Sequence, residues 1–274
     1  MRSYYKNRSF SAVLIFLFSI IVCFYSSSAL SLSGSSDSSA AFSIYKQKIK
    51  TQAKHGDAKA LYVLGRQYRD GKGVPRDNEK AAFYLMESAK KHFAPAQIDL
   101  GQMYTSGTGV EQDFKAAFVW FKSAADKDYA SAQFNVANLY RMGRGVEADA
   151  AKAYFYYEKA ARNGFVKAQY NLAIMYLNGV GVAKDLFQSF YWYDQAANQG
   201  FAMAQYYLAN MYLNGEGTDK NFELALSWYT AASNAGVKDA YDAKEELQAT
   251  LAKMDKSSSG KEVSVHKAEF ALEQ

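Results

Sequence analysis

The sequence predicts an all-α chain folded as a solenoid of helix-turn-helix repeats, and three observations carry that expectation. Ala60, Ala96, Ala132, Ala168, Ala204 and Ala240 stand 36 residues apart, and the same interval joins Tyr68, Tyr104, Tyr140, Tyr176 and Tyr212. A fixed period of roughly 20–50 residues marks units that bury their apolar faces only by stacking on one another. Within a unit, apolar residues fall at helical spacing, as in Ala168, Leu172, Met175 and Tyr176. Only two prolines occur in 274 residues, so long helices go unbroken.

Taken in order, residues 1–29 join a basic start (Arg2, Lys6, Arg8) to an apolar run from about Phe10 to Tyr25 and a small-residue stretch ending at Ala29. That pattern predicts a signal peptide cleaved near Ala29, with no stable membrane anchor afterwards. The alternative is an uncleaved anchor, for which the run is short against the ~20 residues of a spanning helix. Residues 30–41 are rich in serine and predict a flexible linker. A capping helix is expected over 42–56, then five repeats of 36 residues over 57–237.

In each repeat, helix A should end where Gly71, Gly107, Gly143, Gly179 and Gly215 stand, since glycine accepts the left-handed conformation of a helix stop. Helix B should start after Asp77, Asp113, Asp149, Asp185 and Asn221, whose side chains can accept from an unpaired amide. The row Tyr84, Trp120, Tyr156, Trp192 and Trp228 reads as core between repeats. Residues 238–254 begin like a sixth helix A and turn charged, as a C-terminal cap would. Residues 255–274 are expected to be a flexible tail, in which Lys261–Gln274 could instead form a short amphipathic helix.

Composition narrows the function. Net charge is +5, and three of the cations lie in the leader, so no nucleic-acid partner is implied. Cys23, the single cysteine, is in that leader too, leaving a processed chain without disulfide, thiolate metal site or cysteine nucleophile. His55, His92 and His266 have no nucleophile or carboxylate at mechanistic spacing, so no catalytic residue, metal or cofactor is assigned. The loops of the type Gly71-Lys-Gly-Val-Pro-Arg-Asp77 lack both the Gly-Lys-Ser/Thr ending of a phosphate loop and the alternating carboxylates of a calcium loop.

One unit reads Ala94, Ala96, Leu100, Gly101, Tyr104, Gly107, Gly109, Val110, Asp113, Ala117, Trp120, Lys122, Ala124 and Ala125. It resembles the Sel-one-like repeat family, relatives of the tetratricopeptide repeat, over about 58–237. The departures are small: His92 and Asp128 replace a closing glycine and Ser189 an alanine. The resemblance implies a right-handed superhelix and a protein–protein adaptor, with exported bacterial members linked to envelope maintenance and host interaction. A cysteine-paired subgroup is associated with β-lactam and cell-wall-fragment binding, and its cysteines are missing from this chain.

In helical-pair solenoids the A helices line the concave face, and the positions there outside the core pattern form two rows. One holds Asp99, Asn135, Asn171 and Tyr207, the other Arg66, Gln102, Asn138, Ile174 and Asn210. Residues three and four apart share a helix face, so the rows predict a polar ladder. Asparagine carries a donor and an acceptor and can hold an extended backbone without reading its sequence. The candidate binding residues are Asp99, Gln102, Asn135, Asn138, Asn171, Tyr207 and Asn210. The expected function is an exported, periplasmic or secreted, non-enzymatic scaffold for a peptide or partner domain. The alternatives are a binder or hydrolase of cell-wall glycan or muropeptide, and a secreted effector engaging host proteins.

Overall fold

The computed structural model describes residues 34–254. The expected leader over 1–29 and tail over 255–274 lie outside the described residues, which fold as twelve helices without a strand. Helix α1 spans Gly34–Lys54. The A helices are α2 (Ala58–Asp70), α4 (Ala94–Ser106), α6 (Ala130–Met142), α8 (Val166–Asn178) and α10 (Ala202–Asn214). The B helices are α3 (Asn78–Lys90), α5 (Phe114–Ala125), α7 (Ala150–Arg162), α9 (Leu186–Asn198) and α11 (Phe222–Asn234). A twelfth helix, α12, covers 238–254. Each helix packs on its neighbours in chain order, which is the contact pattern of a solenoid.

The punctuation seen in the sequence builds these ends. Gly71, Gly107, Gly143, Gly179 and Gly215 are all left-handed, and each amide returns to a carbonyl in the last turn of its A helix. Asp77 Oδ1 accepts from the Lys80 amide at 2.9 Å, and Asn221 Oδ1 from the Leu224 amide at 2.9 Å. At the start of α1 the structure departs from expectation. The helix begins at Gly34, so the serine-rich stretch from there to Ala41 is helical rather than a flexible linker. Continuing an existing helix adds one bond per residue fixed and avoids the cost of a nucleus, so the stretch extends the helix despite the modest propensity of serine.

Packing within a repeat centres on a small-against-large pair. A Cβ on Gly65 would come within 2.8 Å of Leu85 Cγ, and one on Gly101 within 2.7 Å of Phe121. Later repeats place Ala137, Ala173 and Ala209 in that slot and Tyr157, Tyr193 and Tyr229 opposite, all fully buried or nearly so. The deepest aromatic row is therefore one residue beyond the tryptophan row. Trp192 itself is 8% exposed, while Trp120, Tyr156 and Trp228 are half-buried and packed against neighbouring helices.

Between repeats the second loop glycine sets the spacing. A Cβ on Gly109, Gly145, Gly181 or Gly217 would lie 2.1–2.3 Å from backbone at the start of the preceding B helix. Glutamines, three of them buried and Gln205 partly so, add a latch missed by sequence reasoning. The Gln97 side-chain amide donates to the Ala89 carbonyl at 3.2 Å, and Gln133, Gln169 and Gln205 repeat the contact with Ala125, Ala161 and Ala197. The period was visible in the sequence, but glutamine there looked like surface until the packing buried it.

Candidate functional site

The helix-A rows do not form one uniform ladder. Asp99 faces the preceding repeat, where its carboxylate accepts from Arg69 Nη1 at 2.8 Å, and its side chain keeps only 16% exposure. Burial outweighs the attraction of Arg69 and Arg66 and holds the Asp99 carboxyl above its usual range. Asn138 accepts from the Tyr157 hydroxyl at 2.6 Å, and Asn210 accepts from Tyr229 in the same way two repeats on. These residues sit opposite the buried tyrosines of their own B helices, so their acceptors are used inside the fold. Arg141 completes the first pair by donating Nε to Tyr157 Oη at 3.2 Å.

Tyr207 stacks on Tyr193 with ring centroids 5.4 Å apart and planes 14° from parallel. Tyr170 tilts against both rings, and burial pushes its hydroxyl up to about 12. Ile174 takes the asparagine place in this repeat and offers no acceptor. The Tyr193 hydroxyl is consequently buried without a partner among the described residues, and burial raises its pKa strongly.

Gln102, Asn135 and Asn171 remain available. Gln102 is exposed on α4. Asn135 donates Nδ2 to the Ser131 carbonyl at 2.9 Å, and Asn171 donates to the Lys167 carbonyl at 3.0 Å. Each bond fixes the side chain along its own helix and leaves the amide oxygen for an outside donor. These three stand on α4, α6 and α8 and face solvent in part or in full. The sequence pattern named all seven candidates, yet hydrogen bonds hold Asp99, Asn138 and Asn210 and ring stacking holds Tyr207 within the fold, which leaves Gln102, Asn135 and Asn171.

No group of three or more His, Cys, Asp or Glu is placed to hold a metal ion among the described residues. No described helix is long and apolar enough to cross a membrane.

A family model described as Sel1 repeat matches residues 58–92, 94–129, 130–165, 166–201 and 202–237. Among solved structures, a protective antigen of uropathogenic Escherichia coli strains displaying an SLR fold is 33% identical, with a TM-score of 0.69. That match covers 70% of this chain and 41% of the antigen, so the chain spans about two fifths of its length. A Sel1 repeat protein from Oxalobacter formigenes is 32% identical with a TM-score of 0.63, over 68% of this chain and 76% of the other. Comparison with curated proteins yields no match.

Proposed function

We propose that this chain, which belongs to the Sel1 repeat family, is an exported scaffold that takes a peptide or partner domain along its helix-A face. Sel1 repeat proteins mediate protein–protein interactions and are generally not catalysts. The observation that carries the helix-A reading is the set Gln102, Asn135 and Asn171. They stand on consecutive A helices with polar atoms that the fold does not use. Amide groups so spaced pair with the backbone of an extended segment, which binds by shape and hydrogen bonds more than by sequence. Export rests on the basic, apolar and small-residue order of residues 1–29.

The experiment is affinity capture from the source cells with the wild-type chain and with a Gln102→Arg, Asn135→Arg, Asn171→Arg variant. The variant should keep its helicity and recover at least ten-fold less of the partner. Equal recovery by both would remove the helix-A face from the account.

A further inference from the structure

The junction between α1 and the first repeat is built unlike those between one repeat and the next. Those four are each latched by a glutamine, Gln97, Gln133, Gln169 or Gln205, whereas Leu61 takes that place here. The next junction is packed by Met86 and Trp120, whereas the equivalent residues at the first are Lys50 and Tyr84. The result is an open groove of ≈ 610 Å³ between α1, α2 and α3, within the size range of ligand clefts.

Its chemistry has two parts. One wall is aromatic: Tyr68 stacks on Tyr84 at 5.6 Å with planes 5° apart, and Phe83 meets Tyr84 edge-on at 5.3 Å while 61% exposed. The other part is cationic. Lys50, Lys54 and Lys91 line the groove, and none of the three has a carboxylate within ion-pair distance among the described residues. The groove's one acid, Glu87, is already joined to Lys90 at 2.9 Å. This end of the solenoid is also the basic one. Residues 42–93 carry twelve Lys and Arg against five Asp and Glu, while residues 202–254 carry four against seven.

We propose that this groove binds an acidic peptide segment carrying an aromatic side chain, seated against Phe83 and Tyr84 with its carboxylates on Lys50, Lys54 and Lys91. Three unpaired ammonium groups around an apolar wall suit carboxylates that flank an apolar anchor, and the basic end raises the local concentration of such a segment.

The test uses a fluorescein-labelled Glu-Glu-Phe-Glu-Glu peptide and the full chain, read by fluorescence anisotropy over a range of salt. Saturable binding that weakens as salt rises is expected. Lys50→Gln, Lys54→Gln, Lys91→Gln together should weaken it at least ten-fold and flatten the salt dependence, with helicity and Tm unchanged. Replacing the peptide's phenylalanine by serine should weaken it by a similar factor. The Gln102→Arg variant of the helix-A face should bind the peptide as wild type does, so this result stands apart from the scaffold reading. Undiminished binding by the triple variant, equal binding of the serine peptide, or capture of phosphatidylglycerol vesicles in preference to the peptide would each overturn the assignment.

Discussion

Tyr157, Tyr193 and Tyr229 occupy equivalent places in consecutive repeats, and their hydroxyls meet different surroundings. Tyr157 and Tyr229 donate to asparagine, while Tyr193 faces Ile174 and is buried unpaired. Removing a paired hydroxyl strands its acceptor, whereas removing an orphan relieves a desolvated group. Tyr229→Phe should therefore lower stability by about 0.5–1.5 kcal/mol, and Tyr193→Phe should leave it unchanged or raise it. Denaturant melts of the two variants check this, and equal losses would contradict the pairing. His92 gives a second test at this scale. It stands at φ 61° where other repeats use Gly164, Gly200 and Gly236. His92→Gly should stabilise by about 1 kcal/mol, because a side chain in the left-handed region is strained. The glycine replacement at His92 was legible from the period alone. The tyrosine–asparagine pairs were not, because only the approach of helix B to helix A decides which helix-A amide meets a hydroxyl.

Among the elements, the B helices carry the strongest packing claim. Trp192 is buried against the neighbouring repeat, so Trp192→Ala should destabilise by ~3–5 kcal/mol. A near-neutral result would contradict a core role for that row. The loop glycines make the second claim. Gly145 has φ 72° and leaves no room for a Cβ, the nearest atom being Phe114 backbone at 2.3 Å. Gly164 has a similar φ but nothing within 4 Å. Gly145→Ala should thus lower Tm far more than Gly164→Ala, since only the first forces two repeats apart. Helix boundaries inside the repeats could be read from the Gly and Asp signals because each is a local backbone event. The start of α1 could not, since the serine-rich stretch has no stop signal after Gly34 and its composition alone suggested a linker.

For the whole molecule, stability should follow the repeat rather than the residue count. Stacked units gain most of their burial from neighbours. Deleting residues 130–165 as one unit should preserve helicity and lower Tm modestly, whereas deleting half of that span should collapse the chain. Equal damage from both deletions would contradict the register. Architecture was legible because one pattern is repeated five times. Use of the surface was only partly legible, because a side chain's exposure does not say whether its hydrogen bonds are already made. Asp99 and Asn171 look alike in the sequence, yet one is held by Arg69 and the other keeps an amide oxygen free.

The most direct test of the scaffold account is photo-crosslinking in living source cells from probes at Gln102 and Asn171, with a control probe at the exposed Val119 of helix B. A discrete protein adduct from the first two positions, lost at Val119, is the predicted result. Adducts shared by all three positions, or retention on isolated cell wall with no protein adduct, would contradict it.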